Sequence, residues 1–206
     1  TQRKANPWFV RAVATSAQPN HALGEYAAKV LGYKRIAIIA DDFAYGHETA
    51  AGFQRAFEDN GGKIVQKLWP PLAVPDYGSY IAQIKGNVDA VYAGFAGANG
   101  FRFLKQYNEY GMKAKIPVLG SATTVDEGIL KNMGEEAVGV ISTAWYSATI
   151  DTPDNRKFVA AVNKEYNADP GYYTTGAYSA GLMLEQALRA VSGRIEEKDA
   201  FMKALR

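Results

Sequence analysis

Two adjacent carboxylates, Asp41-Asp42, close the apolar run RIAIIA, and the chain then turns through Phe-Ala-Tyr-Gly into a helical stretch. Paired carboxylates can do general acid–base work. An aspartate just before a helix also caps free amides and suits the positive end of the dipole, and this structural role is the stronger reading of the pair. Hydrolysis through a nucleophile needs Ser or Cys beside a histidine and a carboxylate. The chain has two histidines, His21 and His47, no cysteine and no G-x-S-x-G elbow. His47 falls in the first turn of a helix, where a solvated surface residue is the default. Two isolated histidines give no metal-ligand spacing. Phosphate binding would need G-x-G-x-x-G or a glycine loop ending in Lys-Ser or Lys-Thr, and GFAGANG at 94–100 offers neither. The expectation is therefore no catalytic residue, no cofactor and no metal.

What remains beside the turns is suited to holding a molecule. Tyr45, Phe95, Ala96, Ala122 and Thr123 stand at expected strand ends, followed by Trp145 and Tyr146 and by Tyr172-Tyr173. Tyrosine is abundant, 13 of 206 residues, and several tyrosines sit beside glycine, where there is little core to fill. Aromatic walls with hydroxyls and free amides can bind a small solute and offer no means of transforming it.

The elements that must position these residues alternate. A helix capped by Asn20 carries Leu23, Ala27, Val30 and Leu31 on one face and stops at Gly32. Strands are expected at 35–40, 63–69, 88–95, 116–120 and 138–145. The helices between them fall at about 46–60, after Asp76, at 98–110 and near 125–132. The strand VDAVYAGF is apolar on both sides, as a parallel strand covered by helices should be. The pattern predicts an α/β fold with a doubly wound parallel sheet and right-handed crossovers. Ligands of such sheets gather outside the carboxyl ends of the strands, which directs attention to DDFAYG, GFAGANG and GSATTVDE. After Trp145 come a linker, a Thr152-Pro153 helix start and then helices only, at about 153–167, 174–192 and from 196.

Composition narrows the class. A net charge of +2 with scattered basic residues indicates no nucleic-acid or membrane patch. No apolar run approaches the roughly 18 residues that cross a bilayer. The opening TQRKANPWFV lacks the apolar segment of a signal peptide, so the expectation is either a cytoplasmic protein or a trimmed start.

The strand, Asp-Asp, Tyr-Gly and glycine-ended helix of 33–62 resemble the periplasmic branched-chain amino-acid-binding protein family. These are type I solute-binding proteins of ABC transporters, also called extracellular ligand-binding receptors. VDAVYAGF with its glycine turn, YGMKAKIPVLGSA, EEAVGVISTAWY and GYYTTGAYSAGLMLEQAL continue the order over essentially the whole chain. The resemblance implies two α/β lobes clamping a ligand in an inter-lobe cleft. Residues 27–143 would be the second lobe and 144–152 a hinge or linker. Residues 1–26, with a strand WFVRAV, and 153–206 would be parts of an incomplete first lobe, the chain being a fragment. It implies Tyr45, Phe95, Ala96, Ala122, Thr123 and Tyr173 as ligand-binding residues, with Trp145 and Tyr146 at the hinge or cleft. It further implies a membrane permease as partner and a periplasmic location, or a lipid-anchored extracellular one in a Gram-positive organism.

Members that bind amino acids carry an acid near the Ala122 position to hold the ammonium group. The turn here reads Gly-Ser-Ala-Thr-Thr, with Asp126 and Glu127 further on as partial substitutes. The expected ligand is therefore a small carboxylate-bearing molecule, an aromatic acid ahead of an amino acid. Two other readings stand beside capture for an importer: a ligand-sensing or regulatory module of the same fold, and a Rossmann-like enzyme.

Overall fold

Residues 6–206 are described by a computed structural model. They divide into two compact units, one of residues 15–172 and one that takes in the N-terminal residues up to Ala14 together with 173–206.

The larger unit is built on five parallel strands in the order β2-β1-β3-β4-β5. These are β1 (Arg35–Ala40), β2 (Lys63–Leu68), β3 (Ala90–Gly94), β4 (Val118–Gly120) and β5 (Ile141–Ser142). Ile36 to Ala40 run level with Ala90 to Gly94, and Val91 to Ala93 with Val118 to Gly120. Side chains alternate along a strand, so one run feeds two cores. Ile36, Ile38 and Ala40 join Leu23, Ala27, Phe53 and Phe57 on one face. Ala37 and Ile39 join Tyr77, Ile81, Phe103 and Tyr107 on the other. Both faces are covered, which is why the central strands β1 and β3 are apolar and buried almost throughout. With this order the crossovers change direction between β1 and β3, and the crevice that favours ligands opens at that point.

Helices α1 (Ala17–Lys29) and α2 (Ala44–Asp59) cover the first face. They approach closely because each presents a glycine. A Cβ on Gly52 would come within 2.5 Å of the Ala17 carbonyl oxygen, and one on Gly24 within 2.9 Å of the Phe57 nitrogen. The short α3 (Gly78–Ile81) and α4 (Ala98–Glu109) cover the second face, and the one-turn α5 (Glu127–Leu130) follows β4. Helix α6 (Pro153–Tyr166) starts as expected, Asn155 N donating to Thr152 Oγ1 at 3.2 Å with Pro153 in the first turn.

Several expectations need correction. Asn20 does not cap α1, which begins three residues earlier. Asn20 is buried, donates to Ser16 O at 2.7 Å and accepts the Tyr92 hydroxyl at 2.8 Å. A polar residue that looked like a start signal is the partner of a buried phenol. Val30, placed on the apolar face, is 64% exposed because the helix has ended. The aspartates do not cap α2 either: its N-cap is Phe43, without a side-chain bond. Only Ile141–Ser142 of the expected strand 138–145 pair, since β5 is an exposed edge with one neighbour.

The observed division also differs from boundaries at 26/27, 143/144 and 152/153. Helix α1 packs on α2, and α6 is tied to the preceding linker. Tyr146 Oη donates to Asn155 Oδ1 at 2.8 Å, and Asn155 Nδ2 donates to Ala148 O at 3.0 Å. The Tyr146 ring lies 6.2 Å from that of the buried Phe158.

The smaller unit holds nearly all of α7 (Tyr172–Ala190), together with α8 (Lys198–Ala204). Among its described residues WFVRAV forms no strand, and Trp8, Val10 and Ala12 instead line an apolar hollow with Met183, Leu184, Met202 and Leu205. Arg206 donates to Pro7 O at 2.6 Å.

Candidate binding site at the carboxyl ends of the strands

The strand ends of the larger unit carry three connected groups. The first is built on Asp41, where β1 ends. Its carboxylate is fully buried and accepts from Asn99 Nδ2 at 2.7 Å and Ala96 N at 3.1 Å. Burial raises its pKa above the ordinary value; the bonds from Asn99 and Ala96 and the charge of Arg102 pull it back only in part. Arg102 donates to Asn99 Oδ1 at 2.5 Å. Asp41 thus fastens the β3–α4 turn to the end of β1. Asp42 faces outward and pairs with His47 at 2.8 Å, so the two aspartates do different jobs and form no acid–base pair.

The second group is a set of hydroxyls. Tyr45 lies at the start of α2, half-buried, with its phenol 2.6 Å from Thr123 Oγ1 and 3.1 Å from Ser121 Oγ. Thr123 Oγ1 also bonds Phe95 O at 2.9 Å. Ser121 Oγ lies 2.9 Å from Thr124 Oγ1, which donates to Ala93 O at 2.8 Å. These bonds tie the turns after β1, β3 and β4 together through the carbonyls of Phe95 and Ala93, the latter also accepting from Ser121 N at 2.9 Å.

The third group surrounds a pocket of about 390 Å³. Ala122, Asp126, Glu127, Trp145, Tyr146 and Tyr172 are among its walls. The Trp145 and Tyr172 rings meet edge to face, 5.5 Å apart. Asp126 accepts from Gly128 N at 2.7 Å and Tyr172 N at 2.8 Å, and Glu127 accepts from Ser147 Oγ and Ala148 N, each at 2.6 Å. The carboxylates hold the linker and the start of α7 against the β4–α5 turn. Among the described residues no lysine, arginine or histidine lines the pocket.

The structure brings Tyr45, Thr123 and the main chain of Phe95 into one bonded group, and it sets Ala96 N on the Asp41 carboxylate. It brings Ala122, Trp145 and Tyr146 into the pocket. The Phe95 ring does not face any cleft: it is fully buried against Tyr77 and Phe103, so as an aromatic wall it is a correction. Tyr173 belongs to the other unit and is 63% exposed. Sequence reading passed over Ser121, Thr124 and Asn99. The cluster Ser-Ala-Thr-Thr just beyond a buried strand was the available signal, because short hydroxyl side chains bond nearby main-chain groups. Among the described residues no cluster of acids and histidines could hold a metal, and no helix is long and apolar enough to cross a membrane.

Comparison with known proteins agrees with this architecture. A family profile described as periplasmic binding protein matches residues 1–206. The Leu/Ile/Val-binding protein homolog 6 of Brucella abortus is 30% identical over 200 residues, which are 95% of this chain and 50% of that protein. An ABC transporter substrate-binding protein from Sphaerobacter thermophilus superposes with a TM-score of 0.91 at 35% identity, over 98% of this chain and 56% of its own. A solute-binding protein of an ABC transporter from Rhodopseudomonas palustris BisB5, solved with 3,4-dihydroxybenzoic acid, gives 0.86 at 34%, over 97% and 54%. The chain spans about half the length of the relatives it matches. With the parallel sheet, its switch point and a match along its whole length, the chain belongs to the periplasmic binding protein family.

Proposed function

We propose that the protein is the solute-binding component of an ABC importer and captures a small aromatic carboxylic acid. The observation that carries the ligand class is the pocket behind Ala122. Three aromatic residues, Trp145, Tyr146 and Tyr172, stand around a space of about 390 Å³, and the β4–α5 turn adds the Ala122 methyl group and the Val125 side chain. A flat apolar body suits such walls. A ligand carboxylate would meet Asp126 and Glu127 here without a cation, so the acid end points away from this pocket and the ring enters it. The relative solved with 3,4-dihydroxybenzoic acid supports the same class.

Capture needs no chemistry at the site. Ligand binding shifts the protein toward the conformation that a permease recognises, by the difference in its affinity for the two states. The location would be the periplasm, as the family implies. Tyr45 and Thr123 contribute hydroxyls, and Ala96 contributes main chain.

A second reading is a branched-chain amino acid. The two pocket carboxylates favour it, since either could face an ammonium group, as does the name of the Brucella relative. Thermal shifts of the full-length protein with benzoate-type acids, aliphatic acids and leucine test the choice. Stabilisation by the aromatic acids supports capture of that class, and stabilisation by leucine alone overturns it.

A further inference from the structure

Much of the pocket wall comes from chain with no regular structure of its own. Between the end of β5 at Ser142 and the start of α6 at Pro153 there is neither helix nor strand. Yet Ala144, Trp145, Tyr146, Ser147 and Ile150 of that stretch line the pocket. Holding such chain in one place costs backbone entropy, and no helix or sheet ladder offsets the cost here. Side chains from its neighbours must fix it.

Two of them do so from opposite sides. From α6, Asn155 Nδ2 donates to Ala148 O at 3.0 Å and to Ile150 O at 2.8 Å, and Asn155 Oδ1 accepts the Tyr146 hydroxyl at 2.8 Å. From the start of α5, Glu127 accepts Ser147 Oγ on one oxygen and Ala148 N on the other, each at 2.6 Å. Ala148 is thus held through both its main-chain groups. Short bonds to a carboxylate are the stronger kind.

We propose that Glu127 is a positioning residue for this pocket. Its carboxylate clasps the linker so that Trp145, Tyr146 and Ile150 stand in place before a ligand arrives, and it is not a charge partner for the ligand. A wall that is already ordered spares the ligand the cost of ordering it. The inference takes the pocket as the ligand site, as proposed above, and holds for an aromatic acid and for leucine alike.

Glu127→Ala and Glu127→Gln in the full-length protein test it. Alanine removes both ties. Glutamine keeps them and loses only the charge, its Oε1 accepting from Ala148 N and its Nε2 donating to the Ser147 hydroxyl oxygen. Calorimetric titration with 4-hydroxybenzoate and with leucine reads the affinity. Hydrogen exchange of the ligand-free protein reads the linker. Whichever of the two ligands the unaltered protein binds should bind Glu127→Ala about tenfold or more weakly, and Glu127→Gln should recover most of that loss. Exchange over 143–152 should rise about tenfold or more in Glu127→Ala, stay low in Glu127→Gln, and be unchanged over β1 and β3 in both.

Glu127→Gln binding no better than Glu127→Ala would overturn the inference and make the residue a charge partner. Unchanged exchange over 143–152 in Glu127→Ala would also overturn it, whichever ligand binds, as would a rise spread over the whole sheet. Binding of leucine with no response to 4-hydroxybenzoate would overturn the aromatic-acid reading instead, and the two variants would then decide this inference with leucine.

Discussion

The phenolic oxygen of Tyr45, at the start of α2, lies 2.6 Å from Thr123 Oγ1, just beyond β4. The two residues are 78 positions apart, and their contact ties the β1 and β4 turns across the end of the intervening strand β3. Replacing Thr123 by valine keeps the shape and removes the hydroxyl. Phe95 O and the Tyr45 phenol both lose a close partner, so stability should fall by about 1–2 kcal/mol. Urea denaturation would show this, and titration should show weaker ligand binding as Tyr45 loosens. Unchanged stability and affinity would mean that the contact does not hold the turn.

Removing Tyr45 itself should act differently. Its ring is half-buried and lies outside both apolar cores. Tyr45→Ala should therefore reduce ligand affinity by tenfold or more with a stability loss of only about 1 kcal/mol, since surface truncations cost little. A large loss of stability would return Tyr45 to a core role.

Asp41 gives a pH signature. Burial lifts its folded-state pKa above the ordinary 3.8, so the folded protein binds a proton more readily than the unfolded chain. Between 3.8 and the raised value, stability from this group increases as pH falls. The stability of the unaltered protein relative to Asp41→Asn should accordingly rise as pH is lowered from 7 through that window. Denaturation midpoints of the pair across pH would check it. A relative gain for the unaltered protein on raising pH would contradict the assignment.

Tyr92 and Asn20 make a buried pair in the other core, with the phenol's pKa driven far up by burial. Tyr92→Phe leaves the Asn20 carbonyl oxygen without that donor. A loss of about 1–3 kcal/mol is expected, with ligand affinity unchanged because neither residue lines the pocket.

Gly171 sits against the carboxylate that ends the β4–α5 turn. A Cβ there would overlap Asp126 Oδ1 and come within 2.7 Å of Gly128 N, so Gly171→Ala must displace main chain. Destabilisation of about 1–3 kcal/mol is expected. Affinity should fall as well, because Asp126 and Tyr172 both line the pocket.

The parallel sheet was legible in the sequence because strands covered on both faces are apolar along their buried length, as IAIIA at 36–40 and AVYAG at 90–94 are. Element ends were less legible where polar residues serve distant partners. Asn20 and Asp41 both resemble helix caps, yet one bonds Tyr92 and the other bonds Asn99 and Ala96. Such pairings are 58 or more residues apart for the side-chain contacts and leave no local spacing to read. The ring of Phe95 was misplaced for a related reason: a residue one position beyond a strand can still point into the core. Tyr45 and Ala122 were placed by their turns, whereas Ser121 and Thr124 act on carbonyls that only the assembled sheet brings near.

Capture of an aromatic carboxylic acid separates the proposed role from that of an amino-acid binder. Calorimetric titration of the full-length protein with 4-hydroxybenzoate and with leucine under the same conditions tests it most directly. Saturable binding of the acid is expected, with a dissociation constant on the order of micromolar, about 8 kcal/mol, and at least a hundredfold weaker binding of leucine. Tight leucine binding with no heat from the aromatic acid would contradict it and assign Asp126 and Glu127 to an ammonium group.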